Sequence, residues 1–235
     1  MKKYCLIILG IDICCLLIIL GRSVSGYKMQ ENTTAILQNG VQATEAAIQV
    51  DKPRIAITFD DGPNAEYTPI LLDGLKKRNV KATFFIIGNK IEGNEDILRR
   101  MRDEGHIIGN HTYSHVQLTR LNKENACEEI QKTCDKIYEV TGKYAEFIRP
   151  PFGSWNERIE CDVDMFPVNW TIDPLDWTTK NTELIVQRVL KHAENNGIIL
   201  LHDNYKSSVQ AAFKIIDILQ ERGYEFVTVE ELLLE

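Results

Sequence analysis

The chain has 235 residues, 44% of them hydrophobic and 26% charged, with a formal net charge of −7. This composition excludes a disordered or collagen-like chain and supports a packed core. Lys and Arg are not clustered, which excludes a phosphate-tracking surface and with it a nucleic-acid partner.

Met1, Lys2 and Lys3 precede an apolar run from Tyr4 to Gly21 broken only by Asp12, and the small residues Ser23, Val24, Ser25 and Gly26 follow. Residues 1–26 therefore read as an apolar helix that is either an export signal or an uncleaved membrane anchor. Asp12 weighs against a span, because an ionised carboxylate is costly in hydrocarbon. Both readings put the rest of the chain outside the cytoplasm. Residues 27–52 are polar and small and read as a linker.

From residue 53 to 235, apolar β-branched runs alternate with segments of helical period. The runs are Ile55–Phe59, Ala82–Ile87, His106–Gly109, Glu146–Ile148, Phe166–Ile172, Ile198–Leu201 and Glu225–Val229. The helical segments are Tyr67–Arg78, Glu95–Asp103, Lys123–Val140, Thr182–Ala193 and Val209–Glu221. This alternation predicts an α/β domain whose parallel sheet is covered by helices. About seven such units suit a (β/α) barrel, distorted where the helix between Arg149 and Phe166 is cut short.

Of six cysteines, Cys5, Cys14 and Cys15 fall in the apolar run. Cys127 and Cys134 are seven apart on one predicted helix, about 10 Å along its axis and too far for a bridge. With Cys161 the odd third and no Cys-x-x-Cys spacing, all three are expected to be buried or half-buried thiols.

Polar residues cluster at the predicted C-terminal strand ends, where parallel α/β folds build their sites. Asp60 and Asp61 follow the first run; one carboxylate can hold a cation while the other handles protons, although Asp-Gly-Pro also suits a turn. His111 and His115, four apart, fit one face of a helical turn, and with Asp61 they supply two nitrogens and one oxygen. That donor set matches a catalytic zinc-type site with open positions. Arg149-Pro150-Pro151-Phe152 can pair Arg149 with a carboxylate and hold the Phe152 amide toward a reacting oxygen. Trp177 can wall a sugar pocket, and His202, leaving a buried strand, is placed to donate a proton.

The ordered set T-F-D-D-G-P, H-T-Y-S-H, R-P-P-F-G, D-P-L-D-W and L-L-H-D, from Arg54 to the C-terminus, resembles the polysaccharide deacetylases. These are carbohydrate esterases sharing the homology domain of nodulation-factor deacetylases. The resemblance implies a distorted (β/α) barrel over residues 53–235 that removes acetyl groups from N-acetylated sugars or acetylated xylan. It implies Asp60 as general base, Asp61, His111 and His115 as ligands to a divalent metal such as zinc or cobalt, and His202 as general acid. Arg149 would pair with the base, and Asp176 would orient the catalytic histidine. Phe152, which is Tyr in many members, would offer its amide to the oxyanion. Trp177 would wall the pocket, and Leu201 or its neighbour Leu200 would line the acetyl site. Export favours peptidoglycan N-acetylglucosamine as substrate. Chitin oligomers or acetyl-xylan are the alternative, and a glycan-binding protein without the chemistry is a third reading. A monomer is expected, meeting a membrane only through residues 1–26 if these are retained.

Overall fold

The computed structural model describes residues 52–155, 159, 161 and 165–234. The signal-or-anchor segment and all but the last residue of the linker lie outside the described residues. Among the described residues no helix is long and apolar enough to cross a membrane.

Seven strands form one parallel sheet: β1 (Arg54–Gly62), β2 (Thr83–Ile86), β3 (Ile107–Asn110), β4 (Phe147–Ile148), β5 (Phe166–Pro167), β6 (Gly197–His202) and β7 (Glu225–Val227). Their order is β5-β4-β3-β2-β1-β6, with β7 beside the start of β1. Helices α1 (Tyr67–Lys77), α2 (Glu95–Asp103), α3 (Lys123–Thr141), α4 (Thr182–His192), α5 (Lys206–Glu221) and α6 (Val229–Leu234) complete the domain. An isolated parallel bridge between Ile172 and Ile199 joins the chain beyond β5 back to β6. That contact rolls the sheet into the expected distorted barrel.

Hydrophobic patterning explains most of these elements. β1 is buried on both faces from Ile55 to Asp60, as a central parallel strand must be. α5 buries Val209, Ala212, Ile215, Ile216 and Leu219, the spacing of one helical face, and these side chains share the main core with Ile55, Ile57 and Phe59 of β1. α3 starts where the Asn122 side chain accepts from the Asn125 N–H and ends at Gly142 in the left-handed region, φ 71°.

Three expectations are corrected. The run Phe166–Ile172 is not one strand, because the Val168 and Asn169 carbonyls accept from the Arg149 guanidinium at 3.1 and 3.0 Å. The last strand stops at Val227 and a helix follows: Thr228 and Glu231 form a capping box, the Thr228 N–H donating to Glu231 Oε2 at 2.7 Å and the Glu231 N–H to Thr228 Oγ1 at 3.3 Å. Cys127 and Cys161 are not thiols but a disulfide, Cα–Cα 5.4 Å. Cys134 alone is free, and buried, among the described residues. The helix arithmetic for Cys127 and Cys134 holds; the path that returns Cys161 to α3 has no local signature. The bridge closes a separation of 34 residues, so Cys161→Ser should lower the unfolding free energy by about 2–4 kcal/mol. Urea denaturation followed by circular dichroism would measure it.

Candidate active site

Strand register brings the site together. Asp60 of β1 pairs with His202 of β6, Ile86 of β2 with Asn110 of β3, and Asn110 with Ile148 of β4. The next residue after each of three of these ends is Asp61, His111 or Arg149. Alternation along a strand sends adjacent side chains to opposite faces, yet Asp60 and Asp61 line the same cleft. A bulge resolves this. β1 pairs Asp60 with Phe85 and then Gly62 with Ile86, leaving Asp61 as the extra residue, at φ 70°. Gly62 is needed beside it, since a Cβ there would stand 2.5 Å from Asp203 Oδ2.

His111 and His115 converge on Asp61, but not by helical spacing. Thr112 and His115 have φ of 63° and 57°, and the Thr112 N–H donates to Asn110 Oδ1 at 2.8 Å, so the segment is an Asx-anchored loop. Nε2 of His111 and of His115 lie 3.5 and 3.3 Å from Asp61 Oδ1. That oxygen is buried and has no hydrogen-bond partner. His111 Nδ1–H donates to the Arg149 carbonyl at 2.6 Å, which turns Nε2 toward Asp61. Burial, outweighing the nearby Asp61 charge, pulls the His115 pKa below its ordinary value, which favours a neutral, ligating ring. Burial opposes a charge on Asp61, but hydrogen bonding and charge from His111, then the charges of His202 and His115, hold its carboxyl at about 2 with no cation bound. An ionised oxygen facing two imidazole nitrogens, with 3.5 and 3.3 Å between them, fits a divalent cation taking the place of ring protons. Asp61, His111 and His115 form a candidate metal site.

Beside it, Asp60 is 3% exposed and held by Arg149, which is fully buried. Arg149 Nη1 donates to Asp60 Oδ1 at 2.8 Å and to Thr58 Oγ1 at 2.6 Å. On the other wall, buried Asp176 takes both the His202 N–H and His202 Nδ1–H, at 2.9 and 2.7 Å. Burial works against an imidazolium at His202; the Asp176 hydrogen bond and charge, with those of Asp60 and Asp61, reverse it and push the pKa up to about 9. His202 therefore carries a proton at neutral pH.

The cleft, about 380 Å³, is lined by Asp60, Asp61, His111, His115 and His202 and by Phe152, Trp170, Asp173, Trp177, Leu200 and Tyr205. Phe152 sits at φ 62° with its ring edge against His115. The N–H groups of Gly153 and Ser154 are committed to the Pro150 and Pro151 carbonyls at 3.0 and 3.3 Å. Leu201 is not in the cleft: it is wholly buried in the main core. Alternation turns it opposite to His202, and Leu200 lines the site instead. Trp170 was missed because an aromatic within an apolar run reads as core. Tyr205, three residues beyond His202, could have been found from its place just after a strand end.

A parallel barrel with one carboxylate and two imidazoles at the mouth of its strands is an α/β barrel with a candidate metal site. The family model described as polysaccharide deacetylase matches residues 47–165, and the chain belongs to that family. It is 35% identical over 196 residues to the peptidoglycan-N-acetylglucosamine deacetylase PgdA of Listeria monocytogenes, covering 83% of this chain and 42% of that protein. A Bacillus cereus peptidoglycan-N-acetylglucosamine deacetylase is 40% identical, over 76% of this chain and 87% of the relative. The solved peptidoglycan deacetylase PdaC from Bacillus subtilis superposes with a TM-score of 0.75 at 41% identity, covering 77% of this chain and 90% of that one. PdaC is named as an N-acetylmuramic acid deacetylase. The chain spans about two fifths of the length of the Listeria protein, 42%.

Since Asp176 holds the proton on His202, Asp176→Asn should move the His202 titration from about 9 toward the ordinary 6.5 in cation-free protein. Imidazole nitrogen shifts followed by NMR would measure it.

Proposed function

We propose that this chain removes acetyl groups from N-acetylated peptidoglycan, with N-acetylglucosamine the favoured residue, and releases acetate. The observation that carries the reading is the placement, around one cleft, of an Arg149-clamped carboxylate, a cation-ready trio and a protonated imidazole. Relatives named for both N-acetylglucosamine and N-acetylmuramic acid support the substrate class.

Asp61, His111 and His115 would hold a divalent cation, zinc or cobalt, which when bound supplies a Lewis acid for the acetyl carbonyl and for the attacking water. Asp60 takes the proton from that water as it attacks the carbonyl carbon. Arg149 fixes the acceptor oxygen by holding the other side of the carboxylate. The Phe152 N–H, on its left-handed residue at the rim, faces the developing oxyanion, a contact typically worth about 3 kcal/mol. His202 then delivers its proton to the departing nitrogen, which cannot leave as an anion. Leu200 contacts the acetyl methyl, and Trp177 stacks beside the sugar. Residues 53–235 act as the catalytic domain, outside the cytoplasm, where residues 1–26 direct or tether it.

Asp60→Asn should lower acetate release by about 10²–10⁴-fold while the protein still binds zinc; unchanged turnover would remove Asp60 as the base. Chelation should abolish release, and Zn²⁺ or Co²⁺ should restore it. Assays run in parallel on peptidoglycan, chitin oligomers and acetyl-xylan would rank the substrates. A bound cation with no acetate from any of them would leave a glycan-binding protein.

A further inference from the structure

The three residues after Ile87 touch both segments that carry the cation-facing side chains, yet none of them lines the cleft. They form the short turn Gly88–Lys90. The Gly88 N–H donates to the Thr112 carbonyl at 3.0 Å and the Asn89 N–H to the Tyr113 carbonyl at 2.9 Å, which pins the loop between His111 and His115. Lys90 Nζ donates to the Asp61 carbonyl at 2.8 Å, which pins the bulge residue in its left-handed conformation. Gly88 permits the close approach: a Cβ there would meet Thr133 Oγ1 at 2.6 Å and Tyr113 Cδ2 at 2.7 Å. From the other side Glu129 of α3 accepts from both the N–H and the hydroxyl of Ser114, each at 2.8 Å.

We propose that Lys90 is a positioning residue, and that its hydrogen bond to the Asp61 carbonyl sets the affinity of the Asp61–His111–His115 site for a divalent cation. The inference rests on the reading of those three side chains as metal ligands. Asp61 lies in the bulge near the end of β1 and the two histidines in the loop after β3, and their ligand atoms must meet at one point. A bulge free to relax from φ 70° would carry the Asp61 oxygen away from that point. The Gly88–Lys90 turn is the piece of chain that grips both segments at once.

Lys90 also bears a positive charge, which repels a cation nearby. Its two effects have opposite signs, and the sign of the measured change separates them. Zinc affinity is measured by competition with a chromophoric chelator for the wild type, K90M, K90Q, K90R and, as the control on the ligand assignment, D61N. Outer-contact changes of this kind weaken metal binding by about tenfold or more, so K90M and K90Q should bind zinc about tenfold more weakly, with K90R close to wild type. Melting temperatures of the metal-free proteins should stay together, since Lys90 is only half-buried. Zinc binding by K90M and K90Q that equals or exceeds that of the wild type would overturn the proposal. Wild-type affinity in D61N would instead overturn the ligand assignment.

Discussion

The guanidinium of Arg149 is the fixed point of this barrel. It is fully buried and stacks at 4.1 Å on the Phe85 ring, and a charge placed there must be fully satisfied to be tolerated. Its nitrogens reach Thr58 and Asp60 on β1 and the carbonyls of Val168 and Asn169 beyond β5. Its own main chain completes the set: the N–H donates to the Asn110 carbonyl and the carbonyl accepts from His111 Nδ1–H. One residue therefore breaks the fifth strand, aims the Asp60 carboxylate and holds Nδ1–H of His111 in place. Removing the side chain would leave Asp60 buried without its cation. The barrel's irregularity and the order of its site have the same origin.

The loops around that point depart from ordinary backbone. Asp61, Thr112, His115, Phe152 and Leu175 all have positive φ without being glycine, and each lies in the β1 bulge or in a loop or short turn at the cleft or next to it. Each such residue costs about 1–2 kcal/mol. Side-chain anchors hold several of them: Asn110 for Thr112, Lys90 for Asp61, and Asp173, whose carboxylate accepts from the Leu175 N–H at 2.8 Å. Convergence of donors on one spot is maintained against local preference, which is how a preorganised site differs from a merely exposed set of polar side chains.

Much of this was legible in the residues themselves. The strands were visible because a strand covered on both faces is a continuous apolar run, and the polar residues stood out at the ends of such runs. Asp61, His111, His115, Arg149 and His202 were found that way and do gather at one mouth. What escaped reading was set at longer range. The Cys127–Cys161 bridge joins residues 34 apart, and no cysteine spacing marks the pair. The convergence of His111 and His115 depends on two left-handed residues rather than on a helical turn. The choice of Leu200 over Leu201 follows from the side to which His202 points, which needs the register of β6. Lys90 and Glu129 escaped because they act on main-chain atoms or on Ser114, and charged residues with that duty look like any solvated surface. The Thr228–Glu231 capping box, by contrast, was there to be read.

Asp60 and His202 are rung-mates of one ladder between β1 and β6, and this separates two kinds of variation. Their spacing is a property of the sheet lattice and is insulated from the lengths of the surrounding loops. Phe152 and Trp177 are carried on loops that can be recut without disturbing that rung. The walls of the cleft can therefore diverge by loop exchange while the Asp60–His202 rung stays in place. The same insulation makes the lattice itself unforgiving. Deleting a single residue within β1 or β6 would turn one partner of the pair to the opposite face, and no change in a loop could bring it back.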